Sequence, residues 1–288
     1  MEAARLGAAG AAGLHKAFCP KAARELVGNV DAFLFDCDGG SSDLVWSGVI
    51  WKGEKLIEGV TKALQALRSM GKKVGFVTNN STKSRKQYVE KFRGLGISVH
   101  EDEIYPSSFG AAMYLKVNNF PQDKKVYAIG GDGILEEMSF AGYTCLGVTK
   151  DANKKMELKR GFKFEHDKSV GAVVVGLDPY INYYKIQYAT MCIRENPGCL
   201  FIATDRDAVG PLTDVQEWPG TGSMVGAICG STQKEPIIVG KPATFMMEFL
   251  LKRFNMSTSR MCMVGDSFPD VLFGQNSGCK TILVLSGV

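Results

Sequence analysis

Apolar positions along the chain fall in short blocks. Ala32–Phe35, Lys73–Val77, Lys125–Ile129, Gly171–Gly176, Leu200–Ala203, Ile237–Val239, Met261–Val264 and Thr281–Leu285 hold few polar residues in their interiors. Such blocks predict strands buried on both faces, the habit of a parallel sheet. Other stretches carry apolar residues at helical spacing. Val60, Ala63, Leu64, Leu67 and Met70 line one face of a helix that Gly71 ends. Residues 21–27, 84–95, 182–195 and about 222–229, and stretches ending at Phe140 and Phe254, read as further helices. Residues 49–53 read as a short hairpin or flap. Strands alternating with helices predict an α/β fold with a Rossmann-like parallel-sheet core. A second alternating series starts near Ser107 and predicts an inserted α/β domain. The expected division is a flexible N-terminal tail over 1–24, a core domain over 25–106 and 233–288, and an inserted domain over 107–232.

Composition narrows the function. The 288 residues carry a formal charge of +4 without long basic runs, so nucleic acid is not an expected partner. No apolar run is long enough to span a bilayer, so no membrane partner is expected. Eight cysteines without a Cys-x-x-Cys motif read as reduced core residues of an intracellular protein. The three histidines have no ligand spacing, which argues against zinc. Met1–Ala23 lacks the continuous apolar core of a secretory signal and the serines of a transit peptide. Cytoplasm is therefore expected, with the chloroplast as the alternative.

The candidate chemistry lies at the ends of predicted strands. Residues 31–39 run through apolar residues into Asp36, Asp38 and Gly39. The strand at 73–77 ends in Thr78-Asn79-Asn80-Ser81-Thr82, small donors that can cradle an anion or simply cap the next helix. Lys241 follows a third strand; Asp266 and Asp270 follow a fourth. If all four strand ends share one edge of one sheet, they offer acids for a hard cation, donors for an anion and one ammonium. Phosphoryl transfer needs that set, because a phosphate dianion repels a carboxylate nucleophile until positive charge screens both.

This series of motifs resembles the haloacid dehalogenase superfamily: Asp36-x-Asp38-Gly39, Thr78, Lys241 and Gly265-Asp266 stand in its order. Within it, residues 31–39, 49–59, 77–91, 165–184, 192–203 and 238–249 look like the plant 2-phosphoglycolate phosphatases, and 111–123 and 168–179 look more like the cytosolic type. The resemblance spans nearly all of 25–288. It implies a Mg²⁺-dependent phosphatase acting on a small phosphorylated metabolite, with the inserted domain as a cap that selects the leaving group. It implies Asp36 as nucleophile and Asp38 as general acid and base. It implies Mg²⁺ held by the Asp36 carboxylate, the Asp38 backbone carbonyl and Asp266, with Asp270 behind them. Thr78, Asn79, Asn80 and Lys241 would bind the phosphoryl group, the backbone serving at Asn79. It also implies a homodimer paired through the cap.

Gly210 stands where the related pyridoxal phosphatases carry a substrate-binding histidine, which puts pyridoxal phosphate behind 2-phosphoglycolate. Three features depart from the family. Gly40–Gly48 is extra sequence beside the nucleophile, Ser267-Phe268-Pro269 is one residue shorter than the usual spacer and lacks its arginine, and the family continues past Val288 with a helix and a strand. The alternatives are therefore a phosphatase of other small phosphomonoesters, such as pyridoxal phosphate or aryl phosphates, or a catalytically impaired relative.

Overall fold

In the computed structural model, residues 19–38, 48–210, 212–213 and 215–284 are described. Helix α1 (Pro20–Asn29) starts inside the stretch expected to be a flexible tail, with Cys19 Sγ accepting from the Ala22 N–H. Strand β1 (Ala32–Phe35) follows, buried at every position. Strands β2 (Trp51–Lys52) and β3 (Lys55–Leu56) form the expected hairpin. Then come α2 (Val60–Ser69), β4 (Lys73–Thr78), α3 (Arg85–Gly94) and β5 (Ile104–Pro106). Gly71, at φ +74°, ends α2 in a conformation that a side chain would strain. Ser84 caps α3 with Gln87 reaching back, a reciprocal pair that satisfies two end groups.

The middle of the chain gives α4 (Ser107–Val117), β6 (Lys125–Ile129), α5 (Asp132–Phe140), β7 (Cys145–Gly147), β8 (Val170–Val175), α6 (Tyr183–Glu195), β9 (Leu200–Ala203), the short strands β10 (Val209–Gly210) and β11 (Trp218–Pro219), and α7 (Thr221–Thr232). The last elements are β12 (Ile237–Ile238), α8 (Phe245–Phe254), β13 (Met261–Gly265), α9 (Phe268–Asn276) and β14 (Lys280–Leu283).

Two five-stranded parallel sheets organise these elements. The first has the order β14-β13-β1-β4-β5 and the second β12-β9-β8-β6-β7. Helices cover both faces of each, as parallel sheets require. On one face of the first sheet Phe33, Phe35, Val74 and Phe76 pack with Leu64 of α2 and Tyr88 and Phe92 of α3. On the other, Leu34, Val77 and Met263 pack with Met246, Met247 and Leu250 of α8 and Phe273 of α9. The second sheet is likewise enclosed by α4 and α5 on one face and α6 and α7 on the other.

Strand β12 departs from expectation. Sequence placed it in the core domain, but Ile237 and Ile238 pair with Ile202 and Ala203 and extend the second sheet. Its pairing partner lies on β9, a relation that a two-residue strand cannot display in its own pattern. The inserted stretch Gly40–Gly48 lies outside the described residues except for Gly48, as does Leu285. No helix among the described residues is long and apolar enough to cross a membrane.

Candidate active site

The carboxyl ends of β1, β4 and β13 point the same way, because β1 pairs in parallel with both neighbours. That edge is where open α/β sheets bind ligands. It places Asp36 one residue beyond β1, Asn79 one residue beyond β4 and Asp266 one residue beyond β13. The expectation that Lys241 shares this edge is corrected. Lys241 follows β12 and reaches the site from the second sheet.

Lys241 is the hub. Its Nζ donates to Asp36 Oδ1 at 2.5 Å, to Asp270 Oδ1 at 2.6 Å and to the Val77 carbonyl at 3.2 Å. All three side chains are buried, with Asp36 2%, Asp270 1% and Lys241 4% exposed. Burial opposes the lysine's charge, but the Asp270 and Asp36 carboxylates outweigh it and hold the ammonium protonated. Burial drives the Asp36 carboxyl well above its ordinary value; Lys241 offsets part of that, and Asp270 and Asp266 add to it. Asp266 is pushed up to about 6, chiefly by burial and then by the Asp270 charge.

Asp270 offers no free oxygen to a ligand. Oδ1 takes Lys241, while Oδ2 takes the Ser267 N–H at 3.1 Å and Oγ at 2.5 Å, closing a capping box at the start of α9. Gly265 lets this happen: a Cβ there would lie 2.1 Å from Asp270 Cβ. By contrast, Asp36 Oδ2 and Asp266 Oδ1 are buried and have no hydrogen-bond partner among the described residues. Oxygens of Asp36, Asp266 and Asp270 lie within 4.8 Å of one another. With all three ionised, these carboxylates would leave two negative charges beyond the one ammonium, and unpaired buried charge is costly, which is why Asp36 and Asp266 are pushed towards their protonated forms. A divalent ion with a taste for oxygen ligands fits both the charge and the orphaned atoms.

Asp38 sits apart from that cluster. Its Oδ1 accepts from Trp51 Nε1 at 3.1 Å and Lys91 Nζ at 3.0 Å; its Oδ2 accepts from Thr78 Oγ1 at 3.1 Å and from the Tyr88 hydroxyl. Four donors match the lone pairs of one carboxylate. Lys91 also lies 3.9 Å from the Trp51 ring centroid. Sequence reasoning missed this enclosure, although Tyr88 and Lys91 stand three apart, on one face of α3.

The Thr78–Thr82 loop behaves differently from a phosphate cradle made of side chains. Thr78 Oγ1 serves Asp38 and accepts the Asn80 N–H. Asn80 Oδ1 turns back to the Thr82 N–H and hydroxyl. Asn79 bonds the Lys241 backbone: Lys241 N–H donates to Oδ1 at 2.7 Å and Nδ2 donates to the Lys241 carbonyl at 3.0 Å.

These groups floor a cavity of about 360 Å³. Asp36, Asp38, Asn79, Asn80 and Lys241 line it from the first sheet's edge and the β12–α8 loop; Asp205, Asp207, Val209, Gly210 and Thr221 line it from the second sheet. Leu177, Leu212 and Phe268 add an apolar rim. Arg206, on the loop after β9, bonds Glu235 at 2.5 Å. Its neighbour Asp205 is 3% exposed.

Family models described as haloacid dehalogenase-like hydrolase and HAD-hydrolase-like match residues 33–144 and 238–288. Phosphoglycolate phosphatase 2 of Arabidopsis thaliana is 66% identical over 267 residues, covering 92% of this chain and 86% of that protein. The chloroplastic phosphoglycolate phosphatase 1A of the same plant is 62% identical, covering 92% and 71%. The solved structure of a p-nitrophenyl phosphatase from Archaeoglobus fulgidus superposes with a TM-score of 0.74 at 29% identity, covering 90% of this chain and 87% of that one. The chain belongs to the haloacid dehalogenase-like hydrolases, in the group that includes the plant phosphoglycolate phosphatases.

Proposed function

We propose that the protein is a Mg²⁺-dependent phosphatase that hydrolyses 2-phosphoglycolate to glycolate and phosphate. The observation carrying this is the meeting of Asp36, Lys241, Asp266 and Asp270 in one buried cluster, of which Asp36 and Lys241 line the cavity. The likeness to two plant phosphoglycolate phosphatases supports the substrate.

Asp36 Oδ2, without a donor among the described residues, attacks phosphorus while Lys241 fixes Oδ1. The new bond is Asp36 oxygen to phosphorus; the bond to the glycolate oxygen breaks. Asp38 gives its proton to the departing oxygen, then takes one from the water that attacks the aspartyl phosphate and frees Asp36. To do so, it exchanges one of its four donors for substrate. Asp36, Asp266 and the Asp38 backbone carbonyl would hold Mg²⁺, with Asp270 behind them; bound there, the ion screens the phosphate dianion from the carboxylates. Lys241 balances charge on the phosphoryl oxygens in the transition state. The second sheet and its loops act as the cap, cytoplasm is the proposed compartment, and two copies pair through that cap. Exposed Leu158, Phe162, Tyr180 and Tyr183 on that part of the chain support the pairing.

A second reading keeps the chemistry and changes the leaving group. The apolar rim of Leu177, Leu212 and Phe268 suits an aryl phosphate, and Gly210 offers no imidazole to pyridoxal phosphate. Phosphate release from 2-phosphoglycolate, 4-nitrophenyl phosphate and pyridoxal 5′-phosphate separates the readings. The first predicts a kcat/KM for 2-phosphoglycolate at least roughly tenfold above the others. A faster aryl phosphate would give the second reading the site.

A further inference from the structure

We propose that Asn79 is a positioning residue: its side-chain amide ties the Lys241 peptide, borne by the second sheet, to the first sheet and so aims the ammonium at Asp36. The proposal rests on the phosphatase reading above and gives Asn79 a role its side chain would not have as a phosphate ligand.

The need arises from topology. Asp36 ends β1 of the first sheet, whereas Lys241 follows β12 of the second. A lysine arm has four rotatable methylenes, so its tip is only as well placed as its backbone. Asn79, just beyond β4 and beside β1, bridges the two sheets. Its Oδ1 accepts the Lys241 N–H at 2.7 Å and its Nδ2 donates to the Lys241 carbonyl at 3.0 Å, so one amide grips both polar groups of one residue. Nδ2 also donates to Asp207 Oδ2 at 3.3 Å, on the loop after β9. Both amide protons are thereby spent within the protein, which leaves no side-chain donor for a phosphoryl oxygen.

The surroundings are shaped for this grip. A Cβ on Gly240 would fall 2.6 Å from Asn79 Oδ1 and 2.1 Å from the Thr204 carbonyl, so only glycine admits the approach. Asn79 is itself anchored, since its carbonyl accepts from Ser107 Oγ at 2.5 Å. The local turn at Lys241 has its own bond, Ala243 N–H to the Gly240 carbonyl at 3.0 Å. Losing the amide therefore removes this tie to the Lys241 peptide and leaves the turn.

The test is a double-mutant cycle on Asn79→Ala and Lys241→Ala, read by steady-state kinetics on 2-phosphoglycolate and by calorimetric affinity for inorganic phosphate, both with Mg²⁺ present. A positioning residue predicts that Asn79→Ala lowers kcat by roughly 10- to 100-fold with KM changed less than about threefold. It predicts that Asn79→Ala weakens phosphate binding in the native background and leaves it unchanged in the Lys241→Ala background. Asn79→Asp, which keeps the acceptor for the Lys241 N–H, should lie between native and Asn79→Ala, and it serves if the alanine variant fails to fold. A raised KM with kcat intact, or a further loss of phosphate affinity without Lys241, would mean that Asn79 touches the substrate itself and would overturn the proposal. If the native protein releases no phosphate, the phosphatase reading fails, and the phosphate-affinity cycle still judges Asn79.

Discussion

In Asp205-Arg206-Asp207 two acids flank an arginine, the composition of a solvated turn, yet the three side chains meet different fates. Arg206 leaves for Glu235, while Asp205 is buried against the cavity with its oxygens accepting the Asp207 N–H at 3.0 Å and the Thr204 hydroxyl at 3.1 Å. Burial, with the Asp207 charge adding, pushes Asp205 up to about 7, although those bonds pull the other way. The folded state therefore keeps a proton that the unfolded chain releases near the ordinary value of 3.8, and stability falls as pH rises from about 4 to about 7. That gap corresponds to roughly 4 kcal/mol. Asp205→Asn should melt higher than the native protein at pH 8, and the advantage should close by pH 4. Equal melting temperatures at pH 8 would show that Asp205 ionises without penalty. Sequence could not reveal this, because burial of a loop acid depends on what packs over it, here α7, which begins at Thr221 beyond an intervening loop and sets that residue beside Asp205.

At the scale of elements, much of the strand order is legible because buried strands write themselves as unbroken apolar runs. Lys125–Ile129 and Leu200–Ala203 stand in the structure at their expected bounds. The signal fades with length: β5, β7, β10 and β11 span two or three residues and have too few positions to show a period. Helix α9 shows little period in sequence, because its apolar residues Val271, Leu272 and Phe273 stand side by side, although Ser267 and Asp270 form a legible capping pair. The sheet membership of β12 was hidden for the same reason as its shortness, and with it the fact that Lys241 crosses between sheets. Gly240→Ala tests that crossing. The new methyl overlaps the Thr204 carbonyl and Asn79 Oδ1, so the loop must shift at a cost of about 1–3 kcal/mol. Activity should fall at least roughly tenfold with the melting temperature lowered by a few degrees. Full activity would show that Lys241 tolerates displacement of its own backbone.

Across the whole molecule, two parallel sheets present their loops to one cavity, and the chemistry sits where they meet. Asp36, Asp266 and Asp270 come from the first sheet's edge, Lys241 from the second's, and the two sets join through hydrogen bonds of 2.5 and 2.6 Å. The acids and the lysine were legible in sequence as residue types at strand ends; the route by which Lys241 arrives was not, since it depends on pairing between strands far apart in the chain. The central claim is that these four residues form one phosphoryl-transfer centre that a divalent cation completes. Phosphate release from 2-phosphoglycolate, measured across a Mg²⁺ titration for the native protein and for Asp36→Asn, tests it most directly. The account predicts release that saturates with Mg²⁺, stops with a chelator, and drops at least roughly a thousandfold in Asp36→Asn while the variant stays folded. Release that persists without divalent cation, or in Asp36→Asn, would contradict it.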